Sequence, residues 1–87
     1  NLEKVSFWPN PVSETLHLSY TTSIDQDVHL RLINTMGQIV KTADISGIPG
    51  RNEYTLDVAN LTEGSYVIEL QTDKEIYSRV ILLLRNK

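Results

Sequence analysis

The sequence predicts an all-β domain: a seven-stranded antiparallel β-sandwich that is immunoglobulin-like in general shape. Apolar and polar residues alternate along several short stretches, and this pattern puts one side of a strand on a core and the other side in water. Turn residues separate these stretches at regular intervals, which is typical of sandwiches. The length of 87 residues fits one domain, residues 1–87.

The first three predicted strands cover residues 4–8, 15–20 and 28–32. The first ends at Trp8. Pro9 and Pro11 follow, lack an N–H donor and hold Asn10 in an extended conformation, so they separate the first strand from the second. The second and third strands alternate regularly between apolar and polar side chains, and we expect their apolar sides to face the core.

The remaining strands are predicted at residues 38–43, 54–58, 66–71 and 76–85. A tight hairpin turn at residues 34–37 precedes the fourth strand, with Gly37 free to adopt a positive φ. Residues 46–50 form a loop, residues 58–63 form one turn at most, and residues 73–75 form a hairpin tip. The predicted core consists of Leu16, Leu18, Tyr20, Val28, Leu30, Leu32, Ile39, Tyr54, Leu56, Val58, Tyr66, Ile68, Leu70, Val80 and Leu82.

Residues 80–84 form the longest apolar run of the chain. We expect Val80 and Leu82 to face the core, so Ile81 and Leu83 need another cover. That cover is either the second sheet with neighbouring side chains or a partner. Because a bare apolar edge strand would aggregate, we hypothesise that this strand is a recognition edge whose unpaired backbone groups accept a partner strand.

Charge and composition exclude several classes of protein. The net charge is −3, and the eight Lys and Arg residues are scattered, whereas nucleic-acid binding needs a basic face. A run of five apolar residues is too short to cross a bilayer, which takes roughly 20 residues as a helix. The absence of cysteine excludes a disulfide framework, a Cys-ligated zinc site and a thiol nucleophile. Because the chain begins at Asn1 rather than Met, we expect a piece of a longer protein.

The remaining polar and aromatic candidates favour structural roles. Trp8 beside Phe7 could stack on a sugar, but packing at the strand end fits a single tryptophan next to a proline better. His17 and His29 are out of phase with the apolar positions and are too few for a metal site. Asp25 and Asp27 could touch calcium, but they fit an ordinary polar turn. We therefore expect no metal, no cofactor and no catalytic site.

Several motifs occur in a fixed order along the chain. An aromatic residue, Trp8, is followed by Pro9, Asn10 and Pro11, and a glycine turn lies at Gly37. The motif Leu-x-x-Gly-x-Tyr at residues 61–66 follows an acidic and apolar strand, and a cationic residue, Arg79, precedes a terminal apolar strand. In this order, over nearly the whole chain, they resemble the C-terminal sorting domain of the bacterial type IX secretion system (the Por system, type A). Trp8 stands where tyrosine or phenylalanine is usual, and Arg79 where lysine is commoner.

The resemblance implies a secretion signal rather than an enzyme. It implies an upstream cargo protein that passes through the periplasm and an outer-membrane translocon, to be secreted or displayed at the cell surface. A sortase-like protease would then remove the domain near or before Asn1. The residues that carry the family motif or recognition would be Pro9, Asn10, Pro11, Gly37, Leu61, Gly64, Tyr66, Arg79, Val80, Ile81, Leu82, Leu83 and Leu84.

Two alternatives stay open beside the sorting signal. One is an accessory carbohydrate-binding module, and the other is a structural spacer or adhesin domain. A strand-swapped homodimer is a further expectation, because the terminal strand is apolar on both faces.

Overall fold

The computed structural model describes residues 2–85, and within them it forms seven antiparallel strands in two sheets. The predicted fold class, an all-β immunoglobulin-like sandwich, is confirmed. The small sheet has the strand order β1-β2-β5 and the large sheet has the order β4-β3-β6-β7. The predicted cleavage position near Asn1 and the terminal Asn86 and Lys87 lie outside the described residues. The strands are β1 Glu3–Trp8, β2 Thr15–Thr22, β3 Gln26–Asn34, β4 Ile39–Gly47, β5 Gly50–Asp57, β6 Gly64–Gln71 and β7 Ile76–Leu83.

A bulge near the start of β1 allows the residue before the strand, Leu2, to reach the core. Between Glu3 and Ser6, β1 holds one residue more than the stretch of β2 with which it pairs. Lys4 lies in this bulge, at a φ of 55°. Because the bulge shifts the alternation by one position, Leu2 and Val5 both pack on the core although they are three residues apart.

The core lies between the two sheets and contains most of the predicted residues. Leu2 and Val12 were not predicted, and both are almost fully buried. Tyr54 packs against the core but is only partly buried. The buried apolar residues are Leu2, Val12, Leu16, Leu18, Tyr20, Val28, Leu30, Leu32, Leu56, Val58, Tyr66, Ile68, Leu70, Ile81 and Leu83.

The predicted orientation of β7 is wrong. Val80 and Leu82 are 61% and 37% exposed, whereas Ile81 and Leu83 are buried at 1% exposure each. Pairing with β6 causes this, because Ile81 lies opposite the buried Tyr66, and side chains directly opposite each other on paired strands share a face. The second sheet therefore covers Ile81 and Leu83, which was one of the two covers considered from the sequence.

A second difference concerns β4. Ile39 is 51% exposed, although it was predicted to face the core, and the neighbouring Val40 packs on the core instead. The pairing of β3 with β4 shifts register between Leu32 and Ile33, so this end of β4 is bulged. The predicted loop at residues 46–50 is present but shorter, because β4 runs to Gly47 and β5 begins at Gly50, which leaves residues 48 and 49 between the strands.

The predicted hairpin turn between β3 and β4 is confirmed. The Gly37 N–H donates to the Asn34 carbonyl at 3.0 Å, and Gly37 has a φ of 82°. The strand pairings place this turn at the end of the sandwich where β1, β3, β5 and β7 finish. We call this the motif end, because the Leu-x-x-Gly-x-Tyr motif and the Pro-Asn-Pro motif lie there too.

Candidate functional site

At the motif end, residues 10–12 lie against the outer edge of β7, and we call this segment the strap. The Leu82 N–H donates to Asn10 Oδ1 at 3.0 Å, and Asn10 Nδ2 donates to the Val80 carbonyl at 3.4 Å. The Val12 N–H donates to the Leu82 carbonyl at 2.8 Å, and the Leu84 N–H donates to the Val12 carbonyl at 2.9 Å. The strap therefore joins the Pro-Asn-Pro motif directly to the terminal strand.

Val12 anchors the strap in the hydrophobic core. Val12 is fully buried and pairs in parallel with Leu83, whereas Pro9, Asn10 and Pro11 are exposed. The peptide bonds before both prolines are cis. Because the strap occupies the outward backbone groups of residues 80–84, the hypothesis that this stretch is an edge with unpaired backbone groups needs correction: its side chains are accessible, but its backbone is largely engaged.

The Leu-x-x-Gly-x-Tyr motif forms the corner that leads into β6. The Tyr66 hydroxyl donates to the Thr62 carbonyl at 2.6 Å, and Tyr66 is 5% exposed. Gly64 has a φ of 149°, a conformation that residues with a Cβ rarely adopt. Leu61 packs on the core. A tyrosine near the start of a strand that bonds the backbone a few residues upstream is a hallmark of immunoglobulin-like sandwiches, so this motif has a direct structural role.

Arg79 lies at the β7 edge above the small sheet. Its guanidinium carbon is 5.8 Å from the centre of the Phe7 ring, within the range of a cation–π interaction. Arg79 pairs with the buried Ile68, so it lies on the core-facing row of β7, where it is exposed at the rim. A charge in this position hinders the addition of another strand.

Apolar side chains cross the outer face of the large sheet, and we call them the apolar row. Ile39 pairs with Ile33, Ile33 with Val67, and Val67 with Val80, so the row spans all four strands. Ile33 and Val67 are half-buried. Leu82 adjoins the row at the motif end, and an apolar depression of about 240 Å³ lies between β3, β6 and β7.

The other candidate side chains contact their neighbours. Trp8 packs at the strand end as expected, with its ring stacked on His17 at a centroid distance of 5.5 Å. His29 is bonded to Asp44 at 2.7 Å on the surface. Residues 2–85 hold no group of three or more side chains arranged to bind a metal ion. Within the same range, no helix is long and apolar enough to span a membrane.

The sequence motifs of this immunoglobulin-like sandwich therefore meet at one end of the domain. The family profile described as the secretion system C-terminal sorting domain matches residues 6–83. The chain therefore belongs to the family of type IX C-terminal sorting domains, and it is a sorting signal. Domains of this family are not catalytic, and they mark cargo that is secreted or displayed beyond the outer membrane.

Solved structures share the fold at low sequence identity. Dimeric latent PorU from Porphyromonas gingivalis matches with a TM-score of 0.72 at 14% identity, over 94% of this chain and 9% of that chain. The β-glucosidase EmGH1 from Erythrobacter marinus matches with a TM-score of 0.67 at 11% identity, over 97% of this chain and 15% of that one. A β-glucosidase from Bifidobacterium adolescentis matches with a TM-score of 0.57 at 13% identity, over 94% of this chain and 16% of that chain. No curated protein matches in sequence.

Proposed function

We propose that the type IX machinery recognises the folded domain and not a linear segment of it. The recognised surface combines the Pro-Asn-Pro motif with β7. The observation that carries this proposal is the hydrogen bonding between Asn10 and Leu82. It makes the geometry of the Pro-Asn-Pro motif and of the terminal strand interdependent. A machinery that reads this surface would distinguish a folded domain from an unfolded segment of the same sequence.

The surface that we assign to recognition combines the exposed side of the strap with the outward side chains of β7. Val80, Leu82 and Leu84 are 61%, 37% and 45% exposed, and Pro9 and Pro11 are exposed beside them. Apolar side chains held in fixed positions suit a partner with an apolar surface, because burying them is favourable by about 25 cal/mol per Å². Gly37, Leu61, Gly64 and Tyr66 would then act by shaping the motif end.

The steps around recognition extend this proposal. The domain carries an upstream cargo protein, crosses the periplasm as part of it and is recognised at the outer-membrane translocon. A sortase-like protease then cuts before the folded domain. The domain itself supplies no catalytic group and no cofactor. A homodimer with exchanged terminal strands is a separate proposal, and it would have to rebuild the strap bonds between two copies; sedimentation at several concentrations tests it.

A transfer experiment tests the sorting role. Residues 1–87 are fused behind a folded fluorescent reporter that carries a periplasmic export signal, and the fusion is expressed in a bacterium with an intact type IX system and in a translocon-deficient strain. Reporter at the surface or in the medium of the intact strain alone is the expected result. Retention in the periplasm of both strains, with the domain folded, would count against sufficiency and would favour an accessory binding or spacer module.

Two variants of the same fusion test the recognition surface. Leu82→Ser removes an exposed apolar side chain, and we expect export to fall. Ser78→Ala changes an exposed position on the same strand and serves as the matched control. If Leu82→Ser is folded and exported as well as the unmodified fusion, recognition does not use the outward side of β7.

A further inference from the structure

The two edges of the large sheet differ in how well they are closed. The strap closes residues 80–84 of β7 through bonds to the backbone of Leu82 and its neighbours. In the rest of β7, the core-facing row consists of Tyr77 and Arg79, which pair with Leu70 and Ile68. A strand added there would have to cover a guanidinium at the rim. The β7 edge is therefore protected from Arg79 to the end of the strand.

The β4 edge is protected only before Thr42, where Lys41 lies on the core-facing row opposite the buried Leu32 and the strand is bulged at Val40. The core-facing row within residues 42–46 consists of Ala43 and Ile45 and carries no charge. The Tyr20 hydroxyl of the small sheet donates to the Ser46 carbonyl at 2.9 Å, so this carbonyl points away from β3. Backbone groups of a strand point alternately to its two sides, and Thr42 and Asp44 therefore point their N–H and C=O groups away from β3 as well. Nothing in the described part of the chain bonds these groups.

The side chains around this edge are suited to an added strand. Ala43 and Ile45 pair with the buried Leu30 and Val28, and they are half-buried at the rim of the core. On the other side of β4, Thr42 and Asp44 are exposed. An added strand would therefore contact Ala43 and Ile45 on its core-facing side. On its outer side it would contact the Thr42 hydroxyl and the Asp44 carboxylate. The bulge beside Val40 limits this open stretch to residues 42–46.

We propose that β4 is the strand-addition edge of the domain, and that it binds an extended segment of a partner protein by backbone hydrogen bonds to Thr42, Asp44 and the Ser46 N–H. The segment places apolar side chains over Ala43 and Ile45 and a hydroxyl or a cation opposite Asp44. We assign the partner to the secretion machinery, and this assignment rests on the proposed sorting function. The location of the binding edge on β4 is independent of that function.

A synthetic peptide tests the edge directly. The probe is a capped heptapeptide, Lys-Val-Thr-Val-Lys-Val-Thr, whose alternation matches the two faces of β4. Amide hydrogen exchange of the isotope-labelled domain is followed by NMR with and without an excess of the probe. We expect exchange at Thr42 and Asp44 to slow by about tenfold when their N–H groups become bonded, while Ser78 on the opposite edge stays unchanged.

Matched proline variants make the test specific. Thr42→Pro removes an outward donor from β4, and Ser78→Pro removes one from β7; neither N–H is part of the described strand pairing. Thermal unfolding shows whether each variant is folded, and Ala43→Lys, which places a cation on the core-facing row of β4, replaces Thr42→Pro if that variant unfolds. We expect the β4 variant to lose the peptide effect and Ser78→Pro to keep it.

Three results would overturn the proposal: no slowing at Thr42, equal slowing at Ser78, or slowing that appears without peptide as the domain is concentrated. The last would mean that a second copy occupies the edge. The partner assignment is judged separately with the reporter fusion. A folded β4 variant that is exported normally removes β4 from sorting and leaves the sorting role intact, whereas an unmodified fusion that is not exported removes the sorting role itself.

Discussion

Asn10 and Leu82 lie 72 positions apart in the sequence, yet the Leu82 N–H donates a hydrogen bond of 3.0 Å to the Asn10 side chain. The same side chain donates to the Val80 carbonyl, so one amide replaces a peptide group of a missing neighbouring strand. Asparagine suits this position because it carries one acceptor and two donors. The flanking residues Pro9 and Pro11 have no N–H that would compete for the β7 carbonyls.

Replacing Asn10 by alanine should loosen the strap without unfolding the domain. We expect Asn10→Ala to lower the free energy of unfolding by about 1 kcal/mol, the usual net contribution of a hydrogen bond, and to speed hydrogen exchange at the Leu82 amide. Asn60→Ala, in the exposed turn after β5, is the control. An unchanged Leu82 amide in Asn10→Ala would show that the bond is not maintained in solution.

Because of the orientation of β7, substitutions of Ile81 and Val80 should differ in their effect on the free energy of unfolding. Ile81→Ala should lower the free energy of unfolding by about 2–5 kcal/mol, because it removes a buried side chain and leaves a cavity. Val80→Ala should change it by less than about 0.5 kcal/mol, as is usual for surface positions. Urea unfolding measures both. If Val80→Ala lowered the free energy of unfolding more than Ile81→Ala, Val80 would face the core, as expected from the sequence.

The tyrosine corner can be tested by removing one oxygen atom. Tyr66→Phe should lower the free energy of unfolding by about 1–2 kcal/mol, because the Thr62 carbonyl loses its hydroxyl donor. Tyr54→Phe is the matched control, since the Tyr54 hydroxyl makes no hydrogen bond within residues 2–85. Equal effects of the two substitutions in urea unfolding would argue against a special role for Tyr66.

Gly64 is constrained by its backbone and not by space. A Cβ placed on Gly64 would meet no atom within 4 Å, but its φ is 149°. Gly64→Ala should therefore cost about 1–3 kcal/mol from conformation alone. Thermal unfolding of Gly64→Ala beside Ser65→Ala measures this cost. If both variants melt at the same temperature, the turn accepts an ordinary residue.

A pH dependence should arise from His29. The hydrogen bond to Asp44 raises the pKa of His29 above its ordinary value of 6.5. A raised pKa in the folded state means that the contribution of the pair is fully present below pH 6.5 and is lost as the pH rises through the folded value. Stability should therefore fall slightly as the pH increases across this window, and His29→Gln should flatten that part of the curve.

Thermal unfolding across this window compares His29→Gln with His17→Gln, which leaves the Asp44 pair intact. NMR titration of the His29 ring gives the pKa directly. A His29 ring that titrates at or below 6.5 would contradict the predicted effect of Asp44.

The regular strands could be predicted because their side chains alternate. Leu16 and Leu18 flank a polar residue, so only one orientation of β2 buries them. Residues 80–84 carry no polar side chain, and the orientation of β7 was therefore decided by its pairing with β6, which the local sequence does not encode. Ile39 and Val40 posed the same ambiguity, and a bulge resolved it.

The components of the candidate surface were visible in the sequence, but their contacts were not. Pro9, Asn10 and Pro11 stood out as a motif, and so did the terminal apolar run. Nothing in the spacing indicated that an asparagine side chain would bond a strand more than seventy residues away, because such contacts depend on how the sheets stack. Val12, which anchors the strap, is a single apolar residue outside any strand and carries no periodic signal.

The strap also makes the geometry of the Pro-Asn-Pro motif depend on the presence of β7. A polypeptide interrupted before Leu82 lacks the groups that Asn10 and Val12 bond, so its N-terminal motif cannot reach its final geometry however well the earlier strands form. The Pro-Asn-Pro surface therefore takes its final shape only when β7 is in place.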